Sequence, residues 1–327
     1  MRTHRSLALL LAGLVGCECD TTGEVVDAAT APDAQAPSVD AASPSDAPLS
    51  PDAAVDIRSA GCGMAATQVG PEYIEIMSGG VARRFYLRVM PGYSESTPSA
   101  LILGLHGRDY DGIRMRDYLG LERFAPPGTI FVYPDALTRD WEGLSAGGWQ
   151  NGPIPSRFDG IEDLTFIDDM IAWVESHYCV DTSRRFATGQ SWGGDFSNVV
   201  GCYRGPVIRA FVSVAANSPY YLPTSGVAFP CEGETAAWVM HGKADPSFPP
   251  AVGDAVRDFW IGENGCTASS TPLTIEGAAA DDACVEYTGC AQRTRYCSYT
   301  AATGHQIPFD WYARETMRFF ESFPSTR

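Results

Sequence analysis

Lysine is nearly absent from this chain: Lys243 is the only one, and arginine supplies the rest of 23 basic residues set against 40 acidic ones. A net charge of -17 repels a polyanion, which excludes nucleic acid as a partner. Long apolar runs are missing too. Leu7 to Val15, behind Arg2 and Arg5, is too short to span a bilayer and reads as the apolar core of an export signal. Paired Cys-x-x-Cys spacings are absent, and Cys284, Cys290, Cys297 and His305, six to eight residues apart, make a poor structural zinc site, so no metal is expected. From Glu18 to Ala60 large aliphatic and aromatic side chains almost vanish, while nine acidic residues face Arg58 alone. Such a segment cannot bury enough apolar area to offset its backbone entropy, so it is expected to be a disordered, charge-extended tether.

The first residues add an expectation about location. Leu14-Val15-Gly16-Cys17 resembles the lipobox of bacterial lipoproteins, which implies cleavage before Cys17 and lipidation of its thiol. The organisation expected is a lipoprotein-type signal peptide over 1–16, an acidic tether over 17–60 and one large domain over 61–327. The localisation expected is the bacterial cell envelope, as an outer-surface lipoprotein or a secreted protein, with membrane contact only through the lipidated N-terminus. A monomer is expected.

Eight cysteines, from Cys62 to Cys297, fall inside the domain. In an exported chain they suggest up to four disulfides, with on the order of a hundred pairings open. Alternating Phe85, Leu87 and Val89 predict a hairpin with Tyr73 to Met77. The unbroken apolar runs Ala100 to Leu105, Thr129 to Tyr133, Val207 to Ala215 and Ala236 to Met240, with a short strand at Phe186, predict strands covered on both faces. Helical periods fall at Glu162 to His177 and Phe309 to Phe323. Strands alternating with helices predict an α/β sandwich with a mostly parallel sheet.

The chemistry gathers where those strands end, the place where open parallel sheets bind ligands. Gly189-Gln190-Ser191-Trp192-Gly193-Gly194 has the spacing of a sharp strand-to-helix turn that exposes the Ser191 hydroxyl and points the Trp192 N–H at a developing oxyanion. His106-Gly107 and His241-Gly242 also follow strands, and these two histidines are expected to shape turns. His177 ends a helix, which leaves His305 as the base. Asp245 is the favoured acid, with Asp281, Asp282 and Asp310 as competitors. The second oxyanion donor is the Gly107 or the Arg108 N–H.

Together Gly61-Cys62-Gly63, Leu105-His106-Gly107, Asp168-Asp169, the Ser191 motif, His241-Gly242-Lys243-Ala244-Asp245 and Gly304-His305-Gln306-Ile307-Pro308 resemble the α/β-hydrolase family. The resemblance is closer to its extracellular feruloyl esterase, acetyl xylan esterase and polyhydroxybutyrate depolymerase-like branch. It implies an α/β-hydrolase sandwich with disulfide-braced loops, a Ser191–Asp245–His305 triad and no cofactor. The implied substrate is a plant cell wall ester, feruloylated arabinoxylan first, with an acetyl xylan esterase or polyhydroxyalkanoate depolymerase-like esterase as the alternative. Trp141, Trp149 and Trp192 are candidates to stack on the acyl group or a sugar of a feruloylated or acetylated polysaccharide.

Overall fold

The alternating residues do form the hairpin: β1 (Glu72–Ser78) and β2 (Val81–Val89) pair antiparallel with Phe85, Leu87 and Val89 buried. The structure, a computed structural model, describes residues 56–65, 71–141, 144–150, 163–219, 230–301 and 304–325. Cys17 and the leader lie outside them. After the hairpin come β3 (Ser99–Leu105), α1 (Gly112–Leu119), β4 (Ile130–Pro134), the small hairpin β5 (Thr138–Trp141) with β6 (Leu144–Gly147), and α2 (Asp163–His177). Next are β7 (Val180–Gln190), α3 (Trp192–Tyr203), β8 (Ala210–Val214), β9 (Ala236–Gly242) and α4 (Pro250–Glu263). The chain finishes with β10 (Ser270–Pro272), β11 (Ala283–Tyr287), β12 (Thr294–Tyr299) and α5 (Tyr312–Glu321).

The described residues hold a ten-stranded sheet in the order β1-β2-β4-β3-β7-β8-β9-β12-β11-β10. Its centre, from β4 to β12, is parallel, and both edges are antiparallel. Continuous apolar strands are explained by two buried faces. In β3, Leu101, Leu103 and Leu105 join one core and Ala100 and Ile102 the other. One core takes Ile167 and Met170 of α2, Phe196 and Val199 of α3 and Trp260 of α4. The opposite core takes Met115 and Leu119 of α1 and Phe319 and Phe320 of α5. The molecule is therefore the expected three-layer sandwich.

Two parts of the order differ from a purely apolar reading. The strand expected at Phe186 is eleven residues long, because its polar first half is held by specific partners: Ser183 donates to Oδ1 of the Asp181 carboxylate and Arg185 pairs with Glu175. Folded structure also begins before residue 61. Thr182 N–H donates to the Ile57 carbonyl and Ser59 N–H to Val180.

Below the small β5–β6 hairpin, Asp163 is buried between Arg83 and Arg139, each 2.9 Å away, and accepts the Gln150 N–H at 2.8 Å. A buried carboxylate needs such partners, and here they fix the chain on both sides of Gly148–Gln150.

Four disulfides join Cys62 to Cys179, Cys202 to Cys231, Cys266 to Cys290 and Cys284 to Cys297. The last two staple the β10–β12 region, where few large side chains are buried. The first spans a sequence separation of 117 and anchors the start of β7. Replacing Cys62 and Cys179 by alanine is predicted to lower unfolding free energy by about 2–5 kcal/mol in a urea titration. Because Cys179 lies at the far end of the strand that leads to Ser191, turnover below the unfolding transition should persist. An unchanged urea midpoint would contradict the stapling role.

Candidate active site

The turn after β7 is built by close backbone approach. A Cβ on Gly193 would lie 2.0 Å from the Leu105 carbonyl oxygen, and one on Gly189 would lie 2.3 Å from that of Gly193. Only glycine lets α3 begin this near the end of β3. Between them Ser191 takes φ 58°, a left-handed conformation that costs a non-glycine residue on the order of 1–3 kcal/mol. Its N–H donates to Val214 at 3.0 Å and its carbonyl accepts the Asp195 N–H at 2.8 Å, so the strained residue is held from both sides.

The second loop, after β9, places Asp245 with no exposed side-chain surface. Its Oδ1 accepts the N–H groups of Ser247 at 2.8 Å and Phe248 at 2.9 Å. The third loop, between β12 and α5, carries His305. Its Nδ1 lies 2.8 Å from Asp245 Oδ2, and its Nε2 lies 2.9 Å from Ser191 Oγ. A carboxylate acceptor on Nδ1 assigns the proton to that nitrogen, which leaves Nε2 to accept from the serine hydroxyl. Gly304 makes the approach possible. At φ 78° it brings its chain against Ala244, and an added Cβ would meet the Ala244 oxygen at 2.1 Å. Gln190 also donates to the His305 carbonyl at 3.2 Å, and the Phe248 ring stands edge-on to the imidazole at 5.2 Å.

Of the competing carboxylates, two are engaged elsewhere and the third is exposed. Asp281 meets Lys243 and Thr300, Asp282 accepts the N–H groups of Ala279 and Thr300, and Asp310 is exposed at the approach to α5. His106 and His241 shape turns, as their positions implied. His106 Nδ1–H donates to Gly107 at 2.7 Å while Nε2 accepts the Ala136 N–H at 2.9 Å. His241 Nε2–H donates to the Phe248 carbonyl at 2.9 Å, bracing the segment that holds Asp245. Burial pushes both imidazoles below the ordinary histidine value, so both stay neutral.

A cleft of about 570 Å³ opens over Ser191, and Arg108, Tyr110, Tyr118, Trp192, Phe248 and Gln306 line it. Gly107 and Arg108 form its wall beside the serine, with the Arg108 guanidinium 5.7 Å from the Trp192 ring centre. Trp149 is elsewhere. Expected at the cleft, it is 1% exposed, stacks on Phe196 at 4.9 Å and donates its Nε1–H to the His106 carbonyl at 2.8 Å. The two arginines on Asp163 hold its segment inward, so Trp149 supports the His106 turn from below. The side chain of Trp141 lies outside the described residues. Phe248 and Tyr118 gave no sequence signal beyond their nearness to Asp245 and to the Gly107 turn.

Helices on both faces of a mostly parallel sheet, with a strained serine between strand and helix, make this an α/β-hydrolase. Feruloyl esterase C of Emericella nidulans is 30% identical over 226 residues, 66% of this chain and 74% of that protein, and a probable feruloyl esterase C of Aspergillus oryzae is 31% identical over 253 residues, 74% and 82% of the two. The chain belongs to the feruloyl esterase C family of carboxylic ester hydrolases. No protein-family model matches it. Among solved structures, acetyl xylan esterase from Aspergillus awamori shares the fold with a TM-score of 0.57 at 17% identity, covering 76% of this chain and 99% of that one. The relatives correct one expectation. They are fungal esterases, which overturns the placement of this chain as a bacterial outer-surface lipoprotein.

A pH dependence of stability follows from His106 and His241. As pH falls through the ordinary histidine value near 6.5, the unfolded chain takes up protons that these two buried rings refuse. Their contribution is therefore complete above that pH and is lost below it. The melting temperature should fall from pH 7 to pH 5, with a shallower slope in His241→Gln. A melting temperature flat over that interval in the wild type would contradict this.

Proposed function

We propose that the chain is a serine carboxylic ester hydrolase acting on plant cell wall esters, with feruloyl esters of arabinoxylan as its substrate. Residues 61–327 form the catalytic domain. The observation that carries the reading is the line from Ser191 Oγ through the His305 ring to Asp245, with steps of 2.9 and 2.8 Å. Each link has a chemical task. His305 Nε2 takes the Ser191 proton as Oγ attacks the ester carbonyl, and Asp245 stabilises the imidazolium that results. The oxyanion meets the Trp192 N–H at the head of α3 and an N–H of the Gly107–Arg108 turn. His305 then hands its proton to the leaving alcohol. Water repeats the sequence on the acyl-enzyme, releasing the acid and restoring Ser191. His305 thus carries each proton in turn between Ser191, the leaving alcohol and the attacking water.

The acyl group is inferred from family and space. Relatives are named feruloyl esterases, and a cleft of about 570 Å³ is far larger than an acetyl group needs. Trp192 and Phe248 offer ring faces beside the serine for an aromatic acid.

Acid release should be measured from methyl ferulate, acetylated xylan and a short-chain polyhydroxyalkanoate. Ferulate release is expected to dominate; dominant acetate or hydroxyacid release would overturn the substrate assignment. Ser191→Ala should lower kcat about a million-fold with the fold intact. Asp245→Asn, which misorients the base, should cost roughly ten-thousand-fold. Turnover retained by folded Ser191→Ala would end the serine mechanism.

A further inference from the structure

Folded domains bury large rings where they can, yet Tyr110, which lines the cleft, is left 44% exposed, and Phe309, packed on the cleft residue Tyr118, is left 53% exposed. They are not loose. Tyr118 stands between them, edge-on to Tyr110 at 6.2 Å and 89° and edge-on to Phe309 at 5.4 Å and 83°. The Tyr118 hydroxyl accepts the Ile307 N–H at 3.1 Å, which ties α1 to the loop that carries His305. At the other end, Tyr110 N–H closes the Gly107 turn by donating to the Gly107 carbonyl at 3.2 Å. Three rings thus form one braced row that bridges the turn beside Ser191 and the loop of the general base.

We propose that this row binds the neutral polysaccharide that carries the ester, so that the enzyme reads the glycan as well as the acyl group; the proposal rests on the ester-hydrolase reading above. Proton transfer sets the direction. His305 Nε2 must reach the leaving oxygen, so the body of the alcohol emerges over the loop in which Phe309 follows His305 and Ile307 is bonded to Tyr118. Whatever that alcohol is attached to meets the row. Sugar rings suit it, because their C–H faces pack on aromatic faces while their hydroxyls stay at the edge, in water or on a phenol oxygen. Charge also fits. Arg108 is the one formally charged side chain among the described residues lining the cleft, and an acidic polymer would meet a chain of net charge -17. A polyester surface would want a broad aliphatic face, whereas this row has three rings and two phenol hydroxyls.

The test uses the full chain with Tyr110→Ala and Phe309→Ala combined, both exposed positions. The readout is the ratio of kcat/KM on a feruloylated arabinoxylan oligosaccharide to kcat/KM on methyl ferulate. That ratio should drop about tenfold, as loss of two ring contacts implies, and Tyr110→Phe with Phe309→Tyr should restore it. A second measurement does not need turnover: in a Ser191→Ala background, binding of unesterified arabinoxylan oligosaccharide by calorimetry should weaken by a similar factor. An unchanged ratio with unchanged binding would overturn the proposal, as would an equal or larger loss on polyhydroxyalkanoate. If the wild type hydrolyses neither ferulate substrate but the double variant still loses glycan binding, the ester-hydrolase reading fails and the glycan row stands.

Discussion

A carboxylate without exposed surface is expensive to bury unless its oxygens are occupied, and Asp245 meets that condition with two backbone amides and one imidazole. The rest of the site follows from it. The amides of Ser247 and Phe248 hold the carboxylate in place, so the remaining oxygen can orient His305. The His305 ring in turn faces Ser191 with its free nitrogen. His241 braces the same loop through the Phe248 carbonyl, and Gly304 lets the His305 loop come close enough to close the line. Around this sit two buried histidines and a strained serine: Ser191 is tied to Val214 at the end of β8, His106 to Ala136 just past β4, and His241 to Phe248 in the loop that carries Asp245.

Much of this could be read in the sequence because it is written in local patterns. Strands β3, β4, β8 and β9 are buried on both faces and so appear as unbroken apolar runs. The glycines around Ser191 betray a backbone crossing that nothing larger survives. The order Ser191, Asp245, His305 and the scarcity of other histidines isolated the three residues that the fold brings together. What escaped was decided by long-range contact. Disulfide partners depend on the sheet order, which places Cys284 opposite Cys297 in β11 and β12. Trp149 lies in a stretch without periodicity, and its inward position comes from Arg83 and Arg139 meeting on Asp163. The first half of β7 is polar, so its strand character rests on partners far along the chain. The row of Tyr110, Tyr118 and Phe309 joins three rings from separate segments.

The acidic composition and the site are separate features. The net negative charge plays no part in the proton path, whose only ionisable members are His305 and Asp245. The cleft is instead lined mostly by rings and uncharged polar groups, a surface suited to an aromatic acid joined to a neutral sugar. Fold and family define a carboxylic ester hydrolase, and the rings around the serine narrow the proposed substrate further.

The central claim is that His305, held by buried Asp245, activates Ser191 and no other nucleophile. Stoichiometric labelling with an aryl phosphonate, followed by peptide mass mapping, tests this most directly. One equivalent should attach at Ser191, fail to attach in His305→Ala, and attach at the wild-type rate in Asp281→Asn. Labelling at another residue, or an undiminished rate at Ser191 in folded His305→Ala, would contradict the account.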